Sequence, residues 1–257
     1  PYRTVNNAVR GELGRYPLVH DVFIRMYDYL DRMVKYSKNT LLYDAYLCNK
    51  SLMENGQNNW LNAVKNGLNS LGFNNMYFKN ILENSSKSKL SKSTIRKKLR
   101  KIFERQWLQD ISNDKKGNNQ RNKLRTYRNF KNDFSYENYL NYISNTPYRI
   151  TITKLRVSCH ILNIEKGRHA KLNVEQRVCT KCNLNMIEDE LHFIIMCPMY
   201  SILRRKYFTD ISNIFPMFHN LTDPQKLNFI MIFCLNESDT ANITAEFLHK
   251  IYEQRRE

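Results

Sequence analysis

Turn-forming residues are scarce in this sequence, with 7 Gly and 6 Pro among 257 residues. Antiparallel sheets need frequent tight turns, so the scarcity argues against a sandwich or barrel and for long helices. Acidic residues are also few: 24 Asp and Glu stand against 41 Lys and Arg, a formal net charge of +17. Such an excess repels itself unless a polyanion neutralises it, and nucleic acid is the usual one. No apolar run is long enough to span a bilayer, so no membrane partner is expected. The opening PYRTVNNAVRGELG lacks both an initiator Met and the apolar core of a secretory signal. The chain is therefore expected to be a fragment or processed piece that works inside a cell, in the nucleus or cytoplasm. No Ser–His–Asp set or phosphate-cradling Gly loop stands out.

What is present is apolar residues at helical spacing. Leu18, Val19, Val22, Phe23, Met26, Tyr27, Leu30, Met33 and Val34 follow a 3.6-residue period, with Pro17 where a helix can begin. Leu41, Leu42, Ala45 and Tyr46 begin a second helix. Trp60, Leu61, Val64, Leu68 and Leu71 mark a third, with Gly72 as its C-cap. From Lys87 to Lys101 there are eight Lys or Arg and no acid, while Ile95, Leu99, Ile102, Phe103 and Trp107 keep an apolar stripe. A second basic run, KKGNNQRNKLRTYRNFK, follows. The segment 145–168 mixes strand-like alternation at Ile150 and Ile152 with helical spacing at Leu155, Ser158, Cys159 and Leu162, and helix is favoured, with Gly167 as a stop. Three more helices are expected after Pro198. The fold class is mainly α: multi-helix bundles with a small zinc-stapled knuckle-plus-helix unit. Composition divides the chain into a helical region 1–83, a basic helix and loop 84–132, and a helical region 133–257 that holds the zinc unit at 177–207.

Three of the six cysteines cluster with a histidine: Cys179, Cys182, His192 and Cys197. Two cysteines separated by two residues can share a metal from one knuckle, and a second pair completes a tetrahedron. Three thiolates and an imidazole favour Zn2+, one per chain, and four protein ligands leave no open position for a reacting water, so the role is structural. His192 and Cys197 are five residues apart, which on a straight α-helix turns them about 140° from each other. Pro198 pushes the preceding residue out of the α region, so the helix should stop before Cys197 and let its sulfur swing back. Glu188, Asp189 and Glu190 are expected at the start of that helix, where they cap it and favour its dipole. Cys159, His160 and His169 are substitute ligands to be weighed.

These segments, taken in order, carry a resemblance. LRTYRNFKNDFSYENYL is followed by TKLRVSCHILNIEKGRH, then by RVCTKCNLNMIEDELHFIIMCPMYSILRRKY. The set is Lys-Leu-Arg-x-x-x-His, Ile-Glu-x-Gly-Arg, the Cys/Cys/His/Cys cluster with its acidic lead-in, and Cys-Pro-x-Tyr followed by Arg. It resembles the region downstream of the polymerase in reverse transcriptases of non-LTR (LINE-type) retrotransposons, most specifically between Leu124 and Tyr207. The resemblance implies an upstream polymerase domain as a partner. It also implies His160 as a buried hydrogen-bonding residue and Arg168 as a phosphate or carboxylate partner. Polymerases of that family hold two metals with paired aspartates, and this sequence has no Asp-Asp pair. The chain is therefore expected not to be an enzyme and to carry no catalytic residues.

The expected function is binding of RNA or DNA, mainly through phosphates. The candidate contacts are Arg96, Lys97, Lys98, Arg100, Lys101, Arg121, Lys123, Arg125 and Arg128. Tyr127 and Phe130 sit among them as core or as stacking residues. The alternative is a zinc-stapled helical adaptor that docks another protein.

Overall fold

A computed structural model of the chain describes residues 6–36, 40–83, 90–113 and 123–257. It is mainly α-helical. Among the described residues the only extended pairings are two isolated antiparallel bridges, Leu13 with Tyr136 and Val178 with Ile187. None of the described helices is long and apolar enough to cross a membrane. The chain forms two compact units, Tyr16–Gln106 and Pro1–Arg15 together with Trp107–Glu257. This grouping cuts across the three compositional segments, because the first residues of the chain belong with its last half.

The smaller unit contains α2 (Leu18–Met33), α3 (Leu41–Glu54), α4 (Trp60–Ser70) and α5 (Asn75–Leu82), all following α1 (Asn6–Glu12) of the larger unit. Polar side chains start α3, α4 and α5. Thr40 Oγ1 accepts from the Tyr43 N–H at 3.3 Å, Asn59 Oδ1 from Leu61 at 3.0 Å, and Asn74 Oδ1 from Tyr77 at 2.9 Å. Each satisfies a backbone donor that a helix start would leave unpaired. Gly72 has φ of 82° and ends α4 as expected. Ile24, Leu30, Leu61, Val64, Leu68, Phe78 and Ile81 fill the core. The expected stripe of α2 is buried only in its second half, because Leu18 and Val19 are 75% and 64% exposed. Helix α5 is an element the periodicity did not reveal.

Helix α6 (Lys92–Asn113) carries the first basic run. The boundary between the units falls inside it, between Gln106 and Trp107. Ile95 is fully buried, but Ile102 of the expected stripe is 44% exposed. In the larger unit, the Trp107 Nε1–H donates to the Asn7 carbonyl at 2.8 Å.

The larger unit continues with α7 (Tyr127–Phe130), α8 (Tyr139–Tyr142), α9 (Thr146–Arg156), α10 (Asn163–His169), α11 (Ser201–Ile214), α12 (Asp223–Asn228) and α13 (Ser238–Arg256). The ambiguous segment is helical, but in two pieces. Ser158 takes φ of 53° just past α9, a conformation a non-glycine residue seldom adopts, and turns the chain toward His160. Gly167 lies inside α10 rather than ending it.

A buried charge cluster fastens α1 onto this unit. Arg156 has no exposed surface, and its guanidinium bonds Glu12 Oε2 at 2.9 Å, Glu12 Oε1 at 3.1 Å and Glu137 Oε2 at 2.9 Å. It also donates to the Met231 carbonyl. Lys131 neutralises Glu137, and the Tyr139 hydroxyl donates to Glu12 at 2.8 Å. Burial disfavours the charged arginine, but the two carboxylates outweigh it and raise its pKa. Arg156→Leu should therefore destabilise the unit by about 3–5 kcal/mol, because it strands buried carboxylates. Denaturant unfolding followed by circular dichroism measures this.

Candidate metal centre

The metal-ligand set starts on a short hairpin. Val178 pairs with Ile187, the Cys179 N–H donates to the Met186 carbonyl at 2.8 Å, and the Glu188 N–H donates to Arg177 at 2.9 Å. Asn185, with φ of 53°, turns the chain at the tip. Cys179 and Cys182 stand on the outgoing side of this turn. Inside the first knuckle the Lys181 N–H points at the Cys179 Sγ, 3.4 Å away. The Met199 N–H stands in the same relation to Cys197, two residues on. Two knuckles thus offer backbone donors to sulfur, which favours thiolates.

His192 and Cys197 come from the element that follows. Residues His192–Met196 form a wide turn of π type, closed by the Cys197 N–H donating to the His192 carbonyl at 2.7 Å, an i to i+5 bond. Cys197 itself leaves the helical region, with φ −58° and ψ 122°, as a residue before proline should. The sequence argument was therefore right about Cys197 and silent about the widened turn that helps to align the pair. Pro198 has no N–H to return to Ile194. Arg204 takes that place: its Nε donates to the Ile194 carbonyl at 2.9 Å, and its Nη2 donates to the Cys197 carbonyl. Arg204 is 8% exposed and belongs to α11. It is the arginine that follows the Cys-Pro-x-Tyr motif. Phe193, Ile194 and Ile195 are all buried within the larger unit's core, each burial being worth about 1.5–3 kcal/mol. The ligands are thus part of that core rather than a separate small module.

The four ligand atoms of Cys179, Cys182, His192 and Cys197 lie within 4.8 Å of one another. Cys182 Sγ is 3.4 Å from His192 Nε2. A tetrahedral ion with metal–sulfur bonds of about 2.3 Å would set its ligand atoms about 3.8 Å apart, so the set is close enough to hold one ion. Burial pushes the Cys197 thiol up to about 12, and the Cys179 and Cys182 sulfurs add to the effect. Three thiolates this close together repel one another unless a cation lies among them, and a divalent ion supplies that charge. Burial pushes the His192 imidazole down, which keeps the ring neutral and able to donate a lone pair. His192 Nδ1 is buried with no hydrogen-bond partner. The residue is placed instead by packing and by its backbone N–H, which donates to Asp189 Oδ1 at 2.9 Å.

Of the three acids before His192, only Asp189 caps the helical turn. Glu188 and Glu190 are each 1% exposed and bind elsewhere. Glu188 accepts from the Asn163 N–H at 2.7 Å and so caps α10, whose own N-cap residue, Leu162, has no polar atom to offer. Arg255 of α13 neutralises Glu188 through two bonds, and Cys179 Sγ lies 3.9 Å from the same carboxylate. Glu190 binds His160 Nε2 at 2.7 Å, Thr126 Oγ1 at 2.9 Å and Arg125. Burial would raise the Glu190 carboxyl, but Arg125 and His160 outweigh it and hold it well below the carboxylate range. Arg125 also pairs with Glu165 at 2.8 Å, and Arg168 pairs with Glu165 at 2.7 Å. His160 is thus bound to a carboxylate, and no substitute ligand joins the four among the described residues.

The basic candidates separate by location. Arg96, Lys97, Arg100 and Lys101 are exposed on α6. Arg100 lies over the Tyr16 ring at 4.7 Å. Lys98 is half-buried: its Nζ donates to the Leu71 carbonyl at 3.0 Å and sits 4.1 Å from the Phe73 ring. Arg121 lies outside the described residues. Lys123 is buried, and Arg128 is half-buried with its Nε donating to the Leu124 carbonyl at 3.0 Å. Arg125, expected among the phosphate contacts, is committed to Glu165 and Glu190. Tyr127 and Phe130 are core residues, 0% and 4% exposed. Arg105, which the sequence reading passed over, is exposed on α6 one turn beyond Lys101. Its helical spacing from Lys97 and Lys101 was the available signal.

No family model matches this chain, and neither a curated protein nor a solved structure matches it. Two outcomes test the centre. If the cluster holds an ion, Cys182→Ser should abolish metal binding, measured by elemental analysis, and lower the melting temperature of the larger unit. Gly167→Ala would set a Cβ 2.5 Å from Arg177 Cγ, whose guanidinium donates to the Ile164 and Leu172 carbonyls. It should cost about 1–3 kcal/mol in chemical denaturation.

Proposed function

We propose that this chain is a non-catalytic nucleic-acid-binding region, held in shape by one structural zinc ion. In this reading it comes from a LINE-type reverse transcriptase, or from a gene derived from one, and holds template RNA or target DNA beside an upstream polymerase. The observation that carries the binding reading is the exposed stripe Lys97, Lys101 and Arg105 on α6. The three cations repeat every four residues, about 6 Å along the helix, and so can meet the phosphates of one strand in series. Among the described residues no carboxylate pairs with any of the three. The motif order supports the family reading. Cys179, Cys182, His192 and Cys197 would hold the zinc, whose chemistry is to bind three thiolates and an imidazole in a closed shell.

Large apolar side chains at the surface favour a second reading, a protein-docking adaptor: Leu41 is 84% exposed and Ile202 82%. Salt separates the two. Phosphate binding through the stripe should weaken about 40-fold between 50 and 200 mM salt for three released counterions, and docking of apolar surface should hardly change. Replacing Lys97, Lys101 and Arg105 by Gln should flatten the slope of log K against log salt by about three. Binding of RNA and DNA no tighter than that of a neutral control protein at low salt would exclude the nucleic-acid reading. One zinc per chain by elemental analysis is the outcome expected for the metal.

A further inference from the structure

A second feature of the smaller unit points to a specific kind of ligand. Helices α2 and α4 run antiparallel and approach closely at Gly67, where an added Cβ would lie 2.1 Å from the Phe23 ring. One end of this contact brings Tyr29 of α2 beside Trp60 of α4, with ring centroids 5.8 Å apart and planes at 49°. Tyr29 is 41% exposed. With Arg25 and Met26 the two rings line an open concavity of about 450 Å³. Core packing accounts for one side of Trp60 and Met26. The other side faces solvent across a wedge of two aromatic faces, fixed by helices rather than loops.

The charges around the wedge have one dominant sign. Arg25, Tyr29 and Arg32 stand at i, i+4 and i+7 and so share a stripe of α2, with a cation one turn to either side of the ring. Arg25 is exposed, and Arg32 is 60% exposed beside Asp28, whose other partner is Lys92. The smaller unit holds 16 Lys and Arg against 7 Asp and Glu. Flat aromatic faces flanked by cations suit a planar ring carried between phosphates.

We propose that Trp60 and Tyr29 form a stacking platform for an unpaired nucleobase, with Arg25 and Arg32 meeting the phosphates on either side. The site takes single-stranded RNA or DNA. A base inside a duplex is stacked on its neighbours and cannot enter the wedge. This rests on the nucleic-acid reading of α6 and adds to it a preference for single strands.

The test uses the full chain with three probes: a 12-nucleotide oligo(U), the DNA strand oligo(dT) of the same length, and a 12-base-pair duplex. The chain has two tryptophans, and Trp107 is 1% exposed, so a surface ligand can stack only on Trp60. Single strands are expected to quench tryptophan emission, and the duplex is not. Trp60→Leu, which keeps apolar bulk against the core, should weaken single-strand binding about 5- to 100-fold while leaving duplex binding unchanged. Trp60→Phe keeps a ring and should retain most of the affinity. The RNA and DNA arms show which strand fits better. Equal single-strand affinity of Trp60→Leu and the parent, or equal quenching by duplex, overturns the platform while leaving phosphate binding at α6 intact. Absence of binding by all three probes at low salt overturns both.

Discussion

Two carboxylates that cannot stay charged in a protein core without cations organise the larger unit. Glu188 and Glu190 are buried two residues apart, immediately before His192. Each needs compensation that its own helical turn cannot supply. Glu188 obtains it from Arg255 in the last turn of α13 and from the N-terminal N–H of α10. Glu190 obtains it from Arg125 just before α7, and from His160 between α9 and α10. The acids therefore do more than start a helix. They draw four remote parts of the chain onto the short segment that carries the metal ligands, and fix its place in the core before any ion is considered.

This accounts for the place of Arg125 within the second basic run. Its cations look alike in sequence, but burial is decided by acids 40 and 65 residues away for Arg125. Among the described residues, Arg96, Lys97, Arg100 and Lys101 of the first run keep their charges outside, while Lys123 and Lys131 of the second are buried. The larger unit uses arginine to neutralise its interior, while the smaller unit exposes both the α6 stripe and the aromatic wedge on its own helices.

Helices with a regular apolar period were legible in the sequence, because burial of one face imposes the 3.6-residue repeat. The cluster of Cys179, Cys182, His192 and Cys197, close enough to hold an ion, was legible as well, since its spacing is local and chemically restrictive. Less was legible where the backbone departs from the common conformations. Ser158 turns the chain in a geometry usually given to glycine, so the break between α9 and α10 left no glycine mark. Gly167 misled in the opposite sense: it looked like a helix stop and is instead a helix interior position kept bare for the Arg177 side chain. Arg204 follows the Cys-Pro-x-Tyr motif in order, but its role, donating to the Ile194 carbonyl that Pro198 cannot reach with an N–H, depends on the fold around the wide turn.

That turn has a consequence for how the segment can vary. A π turn holds one residue more than an α turn would over the same rise, and the His192–Cys197 spacing exists only because of that surplus. Apolar identity within 193–196 can drift as long as the volumes fill the core. Turn type cannot: on a regular α-helix these residues, five apart, would stand about 140° from each other, and the wide turn is what brings them to one side. The cluster therefore tolerates substitution within 193–196, and what it requires is a turn whose width matches the number of residues between His192 and Cys197.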